Sequence, residues 1–226
     1  NNVCVLGLSP GSIATGSTGL EIEGRLVGEQ IRMWEGFPPK ERRSLTEHTS
    51  GIRDLCHTDD KDHSDQDETV GGGGTIKISP SKAFCSGSND GTVRAWSGDG
   101  DCQAVYTVPG ESFVFGVGYL GGGLVAAVDD AGNLSAASLP KPLPLPAPPS
   151  STPTKQKASL IYKHPKTVWS VAALPGMKTG VPGAKTQRKT PSVSDVATGS
   201  ADFMVRVFTP HPERALRGKA LKEAEE

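Results

Sequence analysis

Apolar and polar residues follow one grammar that recurs along the chain: an apolar run, a small-residue stretch ending in Gly-Ser, a turn, then an alternating stretch closed by an aromatic. The first copy reads SIATGST and, after a break, GEQIRMWE, closing on Trp34. The second, AFCSGSNDGTVRAWS, closes on Trp96, and the third, DVATGSADFMVRVFT, on Phe208. A weaker copy, GLVAAVDDAGNLSAAS, keeps the Asp-containing turn but has Ala136 and Ala137 where the aromatic should stand. Each alternating stretch has the period of two that a half-buried strand requires.

Further strands flank each copy. Upstream lie Val3 to Leu8, Gly51 to His57, Phe113 to Leu120 and Thr167 to Leu174; downstream of the first three units lie Arg43 to Thr46, Cys102 to Val108 and Ser159 to Tyr162. Four antiparallel strands per unit, recurring at roughly 40 to 45 residues, is the signature of a WD-type propeller blade. The expectation is therefore an all-β fold: a partial WD-repeat β-propeller spanning residues 1–216, with about four blades at 1–47, 48–108, 109–162 and 163–210. Three low-complexity insertions interrupt it, acidic then Gly-rich at 57–75, Pro-rich at 140–157 and basic at 177–192. None can bury enough apolar surface to offset chain entropy, so all three are predicted to be disordered loops. Residues 217–226 form a charged C-terminal tail, and Val205 to Thr209 are left as an open edge, which would make the arc less stable than a complete ring.

Composition narrows the class. Glycine (28) and proline (18) make up about a fifth of the 226 residues, which excludes a long-helix or coiled-coil architecture. Lys plus Arg number 24 against 25 Asp plus Glu, a net charge of -1. No overall basic field exists to hold phosphate backbones, so nucleic acid is not an expected partner. No apolar run approaches the roughly 20 residues that span a bilayer, and the opening NNVCVLGLSPGS lacks the features of a signal peptide. A soluble intracellular protein is expected, cytoplasmic or nuclear, with no membrane partner. Cys4, Cys56, Cys85 and Cys102 form no metal-binding spacing and are read as free thiols. The chain begins with Asn rather than Met, as a fragment or a clipped gene model would.

Candidate chemistry is sparse. Gly7-Leu8-Ser9-Pro10-Gly11 fits the GxSxG elbow of serine hydrolases, but that motif needs a helix directly after the serine, and SIATGSTG has no helical period. The acidic insertion offers His57, Asp59, Asp60, Asp62, His63, Asp65 and Asp67, at a spacing that fits neither calcium loops nor zinc sites. It is read as a solvated loop, as is the basic insertion with Lys178, Lys185, Arg188 and Lys189. The PxxP at Pro146 to Pro149 is read as a spacer, with SH3 or WW binding as the other reading. No cofactor or metal is expected.

In the second blade, Asp90 falls in the tight turn between two strands, His48 just before the innermost strand, Ser86 in the second strand and Trp96 in the third. Together they suit a His-Ser-Asp-Trp hydrogen-bond relay tying the strands together, so the likeness to a Ser/His/Asp triad is read as structural. Trp34, Phe208 and Asp202 are the corresponding residues of other blades. This resembles a WD repeat, although its GH dipeptide is EH here and its WD dipeptide reads WE, WS and FT. Two readings stand for Trp169 and Phe203: both rings pack between blades, or they project from the rim as binding residues.

The last blade resembles one family more closely. KHPKTVWSVAALP, followed by SDVATGSADFMVRVFTPHPERA, is similar to the final blade of the phospholipase A-2-activating protein family, and HTSGIRDLC, SNDGTVRAW and CQAVYTV are similar to its preceding strands. The likeness runs to about Ala215. It implies a non-catalytic module that binds ubiquitin or ubiquitinated proteins in ubiquitin-dependent protein catabolism. It also implies seven blades followed by a ubiquitin-binding domain and a helical-repeat domain that docks on the AAA segregase. Only the last four blades are recognisable here, and segregase docking is not encoded. A generic WD-repeat scaffold for another complex is the alternative, and a serine hydrolase using Ser9 is a distant third.

Overall fold

The computed structural model describes residues 3–22, 25–28, 30–58, 82–140, 152–174 and 194–208. The acidic run beyond Thr58, the PxxP segment, the basic insertion and the charged tail lie outside them.

The first sheet starts with β1 (Val3–Ser9) and β2 (Ser12–Ser17); after a small separate hairpin, β3 (Leu20–Ile22) and β4 (Arg25–Val27), it continues with β5 (Ile31–Glu35) and β6 (Lys40–Leu45). Neighbouring strands are antiparallel in the order β1-β2-β5-β6. The second sheet holds β7 (Ile52–His57), β8 (Phe84–Ser88), β9 (Thr92–Trp96) and β10 (Cys102–Thr107). The third holds β11 (Val114–Gly121), β12 (Leu124–Asp129) and β13 (Asn133–Ser138); β14 (Thr154–Lys157) then leaves it, and β15 (Ser159–Lys163) returns to its edge. The fourth has β16 (Val168–Leu174), β17 (Asp195–Ser200) and β18 (Val205–Phe208). Among the described residues no helix is long and apolar enough to cross a membrane.

Alternation dictates how the sheets stack. Along β2, Ser12, Ala14 and Gly16 are buried while Ile13, Thr15 and Ser17 are half-buried, so one face turns to the next sheet. Leu8, Ala14, Ile31 and Met33 meet Ile52, Leu55, Phe84 and Trp96 between the first two sheets. Cys85, Val93, Ala95 and Tyr106 meet Val114, Val117, Val125 and Ala127 between the second and third. Leu120, Ala126, Val128 and Leu134 meet Val168 and Val196 between the last two. Each large side chain fully buried in this way contributes about 1.5–3 kcal/mol. The inner strands adjoin in the order β1, β7, β11, β16, and β1 makes no comparable contact with β16. The result is an open arc of four propeller blades.

The Pro-rich insertion is not a loop to its end. Thr154–Lys157 forms β14, which runs parallel to β10 with Ala104 opposite Thr154 and Thr107 opposite Lys157, giving the second blade a fifth strand. The outer edge of β10 offers a row of free backbone donors and acceptors, and backbone pairing there needs no apolar side chains; all four β14 residues are exposed. The four cysteines are free thiols. Burial pushes the Cys4 thiol up to about 11 and raises Cys102, while the neighbouring Cys56 thiol and burial together raise Cys85.

Candidate functional site

Three inner strands carry the same irregularity. Ile52 pairs with Ser88 and Asp54 with Gly87; Val114 pairs with Asp129 and Gly116 with Val128; Val168 pairs with Ser200 and Ser170 with Gly199. In each case one residue is skipped: Arg53, Phe115 and Trp169. Such a bulge bends the strand and re-aims the side chain. The three re-aimed side chains meet across blade boundaries. The Arg53 guanidinium lies 5.2 Å from the Phe115 ring centroid, and Phe115 stacks on Trp169 at 5.0 Å and 13°. Arg53 Nε also donates to Asn89 Oδ1 at 2.8 Å, which fixes the head of the strip. Trp169 remains 58% exposed, so one end of this cation-aromatic ladder is open to a partner. Contacts of this type are worth about 0.5–1.5 kcal/mol each within the protein.

Phe203 stands on the same rim. Because Ser200 pairs with Val168, the turn after Ser200 lies beside the start of β16. The turn is held by Phe203 N–H donating to Ser200 O at 3.1 Å and by Met204 N–H donating to Asp202 Oδ1 at 3.0 Å. Phe203 has φ +64, the left-handed region that Gly91 and Gly132 occupy in the corresponding turns. At those glycines a Cβ would fall 2.7 Å from backbone oxygens of the following blade, Glu111 in one case and His164 and Lys166 in the other. Among the described residues nothing closes over the turn of the fourth blade, and the phenyl ring is 99% exposed. Neither candidate ring is buried between blades.

The second blade contains a continuous hydrogen-bond chain. Trp96 Nε1–H donates to Ser86 Oγ at 2.8 Å, Ser86 Oγ lies 2.7 Å from His48 Nε2, and His48 Nδ1 lies 2.7 Å from Asp90 Oδ2. The N–H of Thr49 donates to the same carboxylate, and the Thr92 hydroxyl and N–H donate to its other oxygen. Burial alone would raise the Asp90 carboxyl, but the His48, Thr92 and Thr49 donors outweigh it and hold it well below the usual range. Burial also lowers His48, with Asp90 only partly offsetting it. A neutral imidazole follows: Nδ1–H donates to Asp90 and Nε2 accepts the Ser86 proton. The Ser86 proton is thus committed inside a buried chain, with no open position for substrate.

Other blades vary this device. In the first, Trp34 Nε1–H donates to Thr15 Oγ1 at 3.0 Å. In the fourth, His164 occupies the His48 position, four residues before the inner strand in both cases. Its Nε2 lies 3.3 Å from Thr198 Oγ1 and its ring lies edge-on to Phe208, whereas Asp202 pairs with Arg206 at 2.7 Å rather than with the histidine. His164 was missing from the sequence reading, although that four-residue spacing identifies it. In the third blade Asp129 instead accepts from the Asn133 side chain and N–H.

Ser9 ends β1 and pairs with Ser12 across a tight turn into β2, so the strand-elbow-helix that a nucleophilic serine needs does not form. Among the described residues no group of three His, Cys, Asp or Glu side chains could hold a metal.

The WD domain, G-beta repeat family matches residues 39–97, which takes in the whole of β6, β7, β8 and β9. No curated protein sequence matches the chain. Among solved structures, the WD40 beta propeller domain of Doa1 is similar at a TM-score of 0.55 and 18% identity, over 94% of this chain and 51% of that one. The computationally designed Ika4 protein is similar at a TM-score of 0.52 and 15% identity, over 92% of this chain and 91% of that one. This chain thus spans about half the length of the Doa1 domain. A WD40 repeat at 39–97, set in four stacked β-sheets, makes this chain a partial propeller of the WD40 type.

Proposed function

We propose that the rim formed by Arg53, Phe115, Trp169 and Phe203 binds a protein partner, and that the partner is ubiquitin or a ubiquitinated protein in ubiquitin-dependent turnover. A WD40 propeller is a scaffold for protein interaction whose function lives on its exposed surfaces rather than in the fold. The observation that carries the reading is the open Trp169 face at the end of a ladder spanning three blades, with an exposed Phe203 beside it. Rigid exposed aromatics and arginine are the residue types that dominate binding hot spots. Ubiquitin as the partner rests on the resemblance of the last blade to the phospholipase A-2-activating protein family. Calorimetric titration of the full chain with monoubiquitin tests it. Saturable binding is expected, weakened about tenfold or more by Trp169→Ala and unchanged by Ser9→Ala. Binding that ignores Trp169→Ala overturns the rim, and no binding overturns the partner.

A further inference from the structure

Of the three side chains that the inner-strand bulges re-aim, Arg53 is the charged one, and it stands inside the arc, with the first blade before it and the third and fourth after it. Two contacts hold its guanidinium. The group lies over the Phe115 ring at 5.2 Å, and Nε donates to Asn89 Oδ1 at 2.8 Å. Asn89 is itself anchored, because its N–H donates to Gly51 O at 2.9 Å. The position of the guanidinium is therefore set by backbone on both sides of a blade boundary.

Those contacts leave the other edge of the guanidinium open. Arg32, Arg42, Arg43 and Arg206 each meet a carboxylate, whereas among the described residues Arg53 meets none, and its terminal nitrogens have no acceptor. The acid beside it in sequence is engaged elsewhere: Asp54 Oδ2 accepts the Val117 N–H and Oδ1 the Leu55 N–H, both at 2.9 Å. The Arg53 side chain is half-buried and Trp169 is exposed. Both stand near the starts of β7 and β16, while the chain passes out of the described residues beyond the far ends of those strands.

A guanidinium is a planar fork of N–H donors, and its two terminal nitrogens match the two oxygens of a carboxylate. Stacking on an aromatic face fixes the plane of the fork without using those donors. A fork held in this way loses little rotamer freedom when it binds. A neutral apolar group placed against it would strip water from a charge and return no hydrogen bond. We infer that Arg53 receives a carboxylate of the protein partner, so that the rim reads an acidic group at one end of the ladder and an apolar or aromatic group on Trp169 at the other. This rests on the rim reading above and adds the chemistry the partner supplies. A side chain and a chain terminus present the same two oxygens, and the test separates them.

NMR of the full chain, isotope-labelled at arginine nitrogen, is recorded with added benzoate and, separately, with benzamide, its uncharged counterpart. Benzoate is expected to shift the Arg53 guanidinium signal, identified by its loss in Arg53→Gln, further than the signals of the carboxylate-paired arginines. Benzamide is expected to leave it in place. An Arg53 signal that moves no further than the others, or that answers benzamide equally, overturns the inference. Carbon-labelled monoubiquitin then identifies the source: with the wild-type chain one carboxylate carbon, terminal or side-chain, is expected to shift. With Arg53→Gln that shift is lost and affinity falls about tenfold or more. Ubiquitin that binds through Trp169 with every carboxylate carbon unmoved overturns the inference and leaves the rim reading standing. A benzoate response at Arg53 with no ubiquitin binding overturns the partner and leaves the carboxylate site standing.

Discussion

Replacing Phe203 with glycine is expected to make the protein more stable and its partner binding weaker. Phe203 holds φ +64, a conformation that costs an L-residue about 1–2 kcal/mol relative to the right-handed region. Glycine removes that cost but gives back about 0.5–1 kcal/mol through the larger entropy of the unfolded chain. The ring is 99% exposed, so no buried contact is lost, and the turn's hydrogen bonds from the N–H groups of residues 203 and 204 persist with glycine present. The net gain is up to about 1.5 kcal/mol, which for a chain of this size raises Tm by up to roughly 6 °C. Calorimetric melting of Phe203→Gly beside the wild type measures it, and the same two proteins titrated with monoubiquitin measure binding. Gly91 and Gly132 occupy the same left-handed conformation without strain, whereas a phenylalanine there costs stability. A Phe203→Gly protein less stable than wild type would refute the strain argument. One more stable with unchanged binding would leave Phe203 outside the site.

Two further outcomes concern the relay. Ser86→Ala strands two buried groups, the Trp96 indole N–H and His48 Nε2, at about 1–3 kcal/mol each. A loss of about 2–6 kcal/mol in urea unfolding is therefore expected at unchanged m-value, and a loss below about 0.5 kcal/mol would show that the chain bears no load. Burial holds both His48 and His164 below the ordinary histidine value, so the unfolded chain takes up protons first on acidification. Their stabilising contribution is complete above the unfolded value near 6.5 and is lost as pH falls through it toward the lower folded values. Asp54 and Asp129, whose carboxyls burial raises, act in the opposite sense at lower pH. Unfolding free energy measured from about pH 7.5 to 5.5 should fall, and His48→Gln should flatten the slope; an unchanged slope would place the titration elsewhere.

Much of the fold is legible because strand alternation is a local property. TVRAW declares a buried face and an open face without reference to any neighbour. The relay is legible for a similar reason: a histidine four residues before an inner strand, a hydroxyl residue in the second strand and an aromatic in the third stand at fixed offsets. What stays hidden depends on pairing. The bulges at Arg53, Phe115 and Trp169 are two-against-one counts that exist only once a partner strand is known. Hence the sequence offers Trp169 as a lone aromatic and gives no sign that Arg53 and Phe115 continue it. β14 is hidden for another reason: TKQK has no apolar alternation, and its position is dictated by the open edge of β10. The exposure of Phe203 is likewise settled by what does not cover its turn, a tertiary property.

The central claim is that this arc binds ubiquitin through the Trp169 rim, and a single NMR series tests it most directly. Labelled monoubiquitin titrated with the wild-type chain is expected to show saturable shifts on ubiquitin's apolar patch, and the same titration with Trp169→Ala is expected to lose most of them. No shift at millimolar wild-type chain would contradict the account.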